Sequence, residues 1–257
     1  METKLKPNEV KEQATNDAVI VIEHLYKKFG TNKILEDFSL SIKKEENVVV
    51  LGKSGAGKSV LIKCIIGLLK PDKGSIKVFG EEVTGLDEDG MAKVRMKIGF
   101  LFQANAIYDS MTVKENLEFP LRRHWTDLGE TEVKKMVNEA LENVGLTHTS
   151  EMMPAELSGG MLKRIALART LILKPDIILY DEPTTGLDPI TAREIDQLIL
   201  TLQKKFKTSS IIISHDMNCV KTIADRVVLL LEGKCYADGT YEKLESSKDP
   251  KINQFFE

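Results

Sequence analysis

The sequence predicts an α/β fold in which a mainly parallel sheet is interrupted by a helical segment. Three observations carry that prediction. Short continuous apolar runs recur at Val48–Leu51, Ile98–Phe102, Ile177–Tyr180 and Ile211–Ile213, the pattern of strands buried on both faces. Stretches with helical spacing lie between several of them. From Asn105 to Ser158 strand signals vanish, and they return only after Lys174, so helices occupy that interval. With 257 residues the chain has length for one large α/β domain or two small ones, and for a substantial core.

In chain order, residues 1–17 are polar and charged and read as a disordered tail. Ala18–Ile22 opens the fold as a strand, and His24–Gly30 runs into a glycine turn. Ile34–Ile42 partly alternates apolar with polar, as a half-buried strand does. After the buried run at Val48–Leu51, Val60–Ile66 reads as a helix packed on it. Pro71–Gly74 is a turn and Ser75–Gly80 a short strand. Glu81–Asp89 is acidic and loop-like, and Met91–Lys97 a short helix. Thr131–Val144 is an amphipathic helix whose Val133, Met136, Val137, Ala140, Leu141 and Val144 form a core stripe. A second helix covers Leu162–Leu173 and a third Ile190–Phe206. Arg226–Leu231, a Glu232-Gly233 turn and Lys234–Ala237 form a terminal hairpin, and residues 249–257 a short tail.

The chemistry centres on Gly52–Ser59, Gly-Lys-Ser-Gly-Ala-Gly-Lys-Ser, which fits the phosphate-loop pattern at every fixed position. A random chain of this length would contain it on the order of once in a hundred times, given average glycine usage. The strand before it and the helix after it supply a mechanism. Backbone N–H groups from Gly52, Lys53, Ser54, Gly55, Ala56 and Gly57 and the helix N-terminus wrap phosphates, Lys58 adds a point charge, and Ser59 ligates Mg²⁺. This is a nucleotide site.

Other polar groups fall at predicted strand ends, the edge where α/β sheets bind ligands. Gln103 follows Ile98–Phe102; its amide is placed to orient a water or a metal shell, or is simply a loop residue. Asp181 and Glu182 end the strand from Asp176, and Pro183 stops it. Asp181 is placed to hold a Mg²⁺ shell and Glu182 to accept a proton from an attacking water. His215 exits the strand at Ser209–Ser214 on the same predicted edge as Gln103, Asp181 and Glu182, where it is placed to contact a γ-phosphate, or is a structural histidine. Leu157-Ser158-Gly159-Gly160 opens a helix with Ser158 as N-cap, either a second anion-binding terminus or a bare cap.

Several classes are excluded. A net charge of −3 and a pI of about 5.9 give no positive excess for nucleic acid, and no coiled-coil insertion or basic face is visible. The apolar runs are too short for a membrane span, and no signal peptide is visible. Cys64, Cys219 and Cys235 are widely spaced and read as reduced core thiols; the four histidines are scattered, so no histidine metal cluster is expected. No N-K-x-D guanine-specifying motif occurs.

Taken in order, the phosphate loop, Gln103, the Leu-Ser-Gly-Gly stretch, the Asp181-Glu182 strand end, the Gly186-Leu187-Asp188 turn and His215 make the chain similar, from about Ala18 onward, to the ATPase subunit of ABC transporters. That resemblance implies a P-loop NTPase (RecA-like) core with an N-terminal antiparallel β subdomain and an inserted α-helical subdomain. It places the ATPase domain at 18–248 and the helical subdomain at about 105–172. It implies ATP and Mg²⁺ as cofactors. Phe29 would stack on adenine, Gln103 would contact Mg²⁺ and sense the γ-phosphate, Asp181 would hold the metal, Glu182 would be the general base, and His215 would contact the γ-phosphate. Ser158, Gly159 and Gly160 would bind the nucleotide of a second subunit, with Asp188 at the interface of a head-to-tail homodimer. Met161-Leu162-Lys163-Arg164 departs from the glutamines frequent after the glycines, and Thr185 stands where serine is frequent. Neither departure touches a group placed in the chemistry.

Phe102–Tyr108, Phe119–Arg122, Met153–Glu156, Asp188-Pro189-Ile190 and Asp249–Phe255 resemble the MCE/Mla-type ATPases. Those systems move phospholipids or other hydrophobic molecules between the membranes of diderm bacteria. The resemblance implies a transmembrane permease contacting residues 105–123, an MCE-domain lipid-binding protein, a small accessory subunit, and a peripheral position on the cytoplasmic side of the inner membrane. An importer ATPase for amino acids or other small solutes and a soluble ABC ATPase of an assembly system are the alternative expectations.

Overall fold

The computed structural model of the chain describes residues 17–256, so the tail expected over residues 1–17 lies outside the described residues except for Asp17. The described residues begin with two long strands, β1 (Ala18–Phe29) and β2 (Asn32–Lys43), paired antiparallel. β3 (Asn47–Leu51) enters the main sheet, the phosphate loop follows, and α1 (Lys58–Ile65) leaves it. β4 (Lys73–Val78) and β5 (Glu81–Glu82) return to the first sheet, which has the order β2-β1-β4-β5. α2 (Glu88–Met96) and β6 (Ile98–Leu101) follow.

Then come α3 (Val113–His124), α4 (Glu130–Asn143) and α5 (Gly159–Leu171), with no strand between β6 and β7 (Ile177–Asp181). α6 (Pro189–Phe206), β8 (Ser209–Ile213) and α7 (Met217–Ile223) lead to the β9 (Arg226–Leu231) and β10 (Lys234–Gly239) hairpin. α8 (Tyr241–Glu245) and α9 (Pro250–Asn253) close the described chain. The main sheet runs β10-β9-β3-β8-β7-β6, and every pairing from β9 to β6 is parallel.

The apolar strands are continuous because both faces are covered. Val49, Tyr180 and Ile212 face the helical side with Ile165, Ile195 and Ile199, whereas Val48, Val50, Leu179 and Ile211 pack on β1, β2 and α1. This mixed α/β architecture, one antiparallel sheet beside a mainly parallel one with helices following β6, is the expected fold class.

Several elements differ from expectation. β1 runs unbroken through His24, which takes φ 51° at a register shift. β4 starts at Lys73 because Gly74, with φ +99°, lies flat against the His24 carbonyl, where a Cβ would sit 2.3 Å from the oxygen. α5 starts at Gly159 rather than Leu162, since Ser158 caps it and accepts from the Met161 N–H at 3.3 Å. The tail at 249–257 contains α9, and its Ile252 is buried.

Candidate functional site

Parallel register builds the site. Val49 of β3 pairs with Ile212 of β8, which pairs with Tyr180 of β7, which pairs with Leu101 of β6. The residues that follow these four strands therefore emerge on one edge: the phosphate loop, Gln103, Asp181 with Glu182, and His215. They line a solvent-open cleft together with Ile34, Gln254 and Phe255.

Two glycines of the phosphate loop are also closely packed. Gly57 has φ +104°, and a Cβ there would lie 2.7 Å from Ile34 Cγ2. Gly52 approaches the main chain so closely that a Cβ would lie 2.7 Å from the Leu230 carbonyl oxygen. Lys58 folds back over its own loop, its Nζ donating to the carbonyls of Gly52 at 2.7 Å and Lys53 at 3.1 Å. These bonds occupy the ammonium with backbone oxygens that phosphate oxygens can replace. Burial pushes the Lys58 amine below its usual range, while the Glu182 and Asp181 carboxylates oppose that shift.

Ser59 and Asp181, 122 residues apart in sequence, meet with Ser59 Oγ donating to Asp181 Oδ1 at 3.4 Å. A hydroxyl and a carboxylate are hard oxygen donors, and Mg²⁺ takes one or two protein oxygens and completes its shell with water and phosphate. The pair fits that ion. Burial pushes the Asp181 carboxyl above its usual range; the Ser59 hydroxyl opposes this and the Glu182 charge adds to it. A bound cation would reverse the push.

Glu182 Oε2 lies 2.8 Å from His215 Nδ1 and 3.3 Å from the Thr185 hydroxyl. Its backbone takes φ 53°, and its N–H donates to the Ile213 carbonyl at 2.9 Å. A carboxylate held at both ends in this way can accept a proton from a water in the cleft, with the imidazole fixing its direction.

The remaining expected residues lie apart from this cleft. Ser158, Gly159 and Gly160 do not line it; they form the first turn of α5, and Gly160 packs so tightly on α6 that a Cβ would lie 2.6 Å from Thr191 Cγ2. Asp188 caps α6, accepting from the N–H groups of Ile190 at 3.0 Å and Thr191 at 3.1 Å. The Thr191 hydroxyl, donating at 2.6 Å, is the main influence holding the Asp188 carboxyl below its usual range. Beside it Ile190 is 65% exposed. Phe29 ends β1, 48% exposed, with the Lys27 ammonium 5.4 Å from its ring centroid. The wall contributed by the β1–β2 region is Ile34 instead.

Sequence reasoning missed Ile34, Gln254 and Phe255. Ile34 has no signal beyond a strand residue, and Gln254-Phe255 belongs to a tail stretch that carries the MCE/Mla-type resemblance but no sign that it reaches the nucleotide cleft. Among the described residues, Cys64, Cys219 and Cys235 are free thiols, no group of three or more His, Cys, Asp or Glu gathers at one place, and no helix is long and apolar enough to cross a membrane.

A family model described as "ABC transporter" matches residues 35–185, more than half of the chain, spanning the phosphate loop, the Leu-Ser-Gly-Gly stretch and the carboxylate pair. The chain belongs to the ABC transporter family. It is an ABC ATPase, a nucleotide-hydrolysing transporter subunit that binds ATP. The intermembrane phospholipid transport system ATP-binding protein MlaF of Haemophilus influenzae is 39% identical over 93% of this chain and 90% of its own length. The methionine import ATP-binding protein MetN of Campylobacter jejuni is 38% identical over 92% of this chain and 75% of its own. Among solved structures, the dimeric post-hydrolysis state of the ATP-binding cassette MJ0796, bound to ADP and Pi, superposes with a TM-score of 0.77. It is 32% identical and covers 86% of this chain and 98% of that one.

Proposed function

We propose that this ABC ATPase hydrolyses ATP with Mg²⁺ between two copies of the chain and drives a permease that moves phospholipid or another hydrophobic cargo between membranes. The observation that carries the reading is the Glu182–His215 contact at 2.8 Å beside the Ser59–Asp181 pair and the phosphate loop. The loop N–H groups and Lys58 bind the phosphates. Ser59, Asp181 and Gln103 would hold Mg²⁺, which when bound would neutralise charge on the phosphate oxygens. Water attacks the γ-phosphorus, its proton passes to Glu182, and the bond to the β-phosphate oxygen breaks toward ADP. His215 keeps Glu182 aimed and meets the γ-phosphate, and Phe29 stacks on adenine.

The signature residues Ser158, Gly159 and Gly160 lie off this chain's own cleft, which suits completion of a partner's site, with Asp188 and the exposed Ile190 at the dimer interface. The domain spans 18–248, with 105–172 as its helical part. Exposed Tyr108 and Phe119 make the surface at 105–123 suited to a permease helix, and exposed Phe102 lies just before it. The subunit sits peripherally on the cytoplasmic side of the inner membrane, with an MCE-domain lipid-binding protein and a small accessory subunit in the complex.

The similarity to MlaF over most of both chains supports the lipid cargo. The nearly equal similarity to MetN favours a second reading, an importer of small polar solutes. Co-purification decides between them: an MCE-domain protein supports the first and a solute-binding protein the second. For the chemistry, Glu182→Gln is expected to bind ATP, trap a dimer and lose at least about 100-fold in turnover, the scale of a positioned general base. Normal hydrolysis by that variant would refute the assignment.

A further inference from the structure

Lys163 lies in the middle of α5 and is 2% exposed. An ammonium at that depth is costly unless paired, yet among the described residues no carboxylate lies within salt-bridge distance of it. Its acceptor is one backbone oxygen, the carbonyl of Gln103, at 3.1 Å. Burial alone pushes its amine below the usual range.

The same helix holds the loop that follows Gln103 a second time. Arg169 donates to the Ala106 carbonyl and its guanidinium lies 4.7 Å from the Tyr108 ring centroid. From α3, buried Asn116 closes the far end, accepting from the Tyr108 N–H at 2.8 Å and donating to the Tyr108 carbonyl at 3.0 Å. These bonds hold a segment whose Asn105 and Ala106 take φ 64° and 53°, a conformation that side chains rarely adopt unless the surroundings impose it. Gln103 leads into this loop and lines the nucleotide cleft.

We infer that Lys163 is a positioning residue, which through the Gln103 carbonyl sets the Gln103 side chain toward the metal site. The inference rests on the reading of Gln103 as a metal-shell residue. It has a mechanical corollary. Lys163 lies five residues along α5 from Ser158, about 7.5 Å of helix axis at 1.5 Å per residue. Displacement of the signature end of α5 is thus delivered to Gln103 through one bond. A packing role alone would not need a charge here, because methionine fills similar volume without the desolvation cost.

The test compares Lys163→Met, Lys163→Arg, Gln103→Ala and the Lys163→Met/Gln103→Ala double variant, reading the Mg²⁺ concentration for half-maximal ATPase, nucleotide affinity without Mg²⁺, and the unfolding midpoint. Lys163→Met is expected to raise the Mg²⁺ requirement about tenfold, the equivalent of ~1.4 kcal/mol. It should leave metal-free affinity unchanged and the unfolding midpoint equal or higher, while Lys163→Arg restores the Mg²⁺ requirement. The double variant should match Gln103→Ala alone, because Lys163 acts through that side chain. An unchanged Mg²⁺ requirement in Lys163→Met beside a raised one in Gln103→Ala overturns the role of Lys163 and leaves the Gln103 reading standing. A normal Gln103→Ala overturns both. A lowered midpoint with parallel loss of metal-free affinity in Lys163→Met marks the lysine as structural and also overturns the proposal.

Discussion

Asp196 gives a prediction whose size follows from the structure. It sits on the inner face of α6, 1% exposed, and neither carboxylate oxygen has a hydrogen-bond partner. The Cys219 thiol beside it is a weak donor, and the Asp216 charge opposes ionisation further; burial, the largest influence, pushes the Asp196 carboxyl from 3.8 to about 6. A raised acid favours the folded state in its neutral form. Its contribution is complete below the unfolded value and is lost as pH rises through the folded one. The full loss is about 3 kcal/mol, from a shift of about two units at 1.36 kcal/mol each.

At pH 5 roughly half of that has already gone, so about 1.4 kcal/mol remains to be lost by pH 8. Asp196→Asn keeps the shape and carries no charge at either pH. Its stability relative to the unsubstituted protein should therefore improve by about 1.4 kcal/mol between pH 5 and pH 8, or about 3–5 °C in Tm for a chain of this size. Urea unfolding of both proteins at the two pH values measures the difference of differences, in which any fixed cost of the amide cancels. A gap that stays constant with pH would refute the reasoning and show Asp196 titrating as a hydrated carboxyl.

Two further predictions concern the phosphate loop. Gly57→Ala combines a φ of +104° with a 2.7 Å approach to Ile34, so it should lower Tm and weaken ATP binding at least about tenfold, the equivalent of 1–2 kcal/mol of backbone strain. Equilibrium binding of a fluorescent ATP analogue and a thermal melt check both arms. Lys58→Ala removes a buried ammonium from two carbonyls and should leave the melt nearly unchanged while costing ATP affinity about 1.5–3 kcal/mol, the scale of a charged hydrogen bond. Titration with ATP by calorimetry reads the loss, and an unchanged affinity would remove Lys58 from the phosphate site.

What was legible in the sequence depended on period and punctuation. The parallel strands of the main sheet show as apolar runs because both faces are buried, and the phosphate loop shows because glycine spacing has few other uses. α3 escaped notice because Pro120 lies inside it and three basic residues end it, although Thr112 and Glu115 form a capping box that marks its start. α7 is short, and its signal is the Asp216 cap that accepts from the Asn218 N–H at 2.9 Å. Lys163 looked like a mere departure after the glycines because α5 is buried on several sides and offers no polar face to read it against. Gln254 and Phe255 reach the cleft through the docking of α9, where Tyr236 donates to Asp249 and the Tyr241 ring meets Phe256 edge-on. Such long-range placement leaves no local pattern.

The carboxylate pair shows how far a motif is from a site. Successive residues of a strand point to opposite faces, so Asp181 and Glu182 in continuous β-structure would be directed apart. Both line the cleft because the strand ends between them. Asp181 is still paired with Ile213 of β8, and Glu182 turns left-handed at φ 53° while its N–H keeps the Ile213 carbonyl. Pro183 then removes the next N–H from the ladder. A non-glycine residue in that conformation costs on the order of 1 kcal/mol, and the hydrogen bond from the Thr185 hydroxyl and the close contact with His215 offset the cost. Glycine would relieve the backbone but remove the base. The strain at Glu182 is therefore what brings two adjacent carboxylates, one suited to the metal and one to the water, onto the same edge of the sheet.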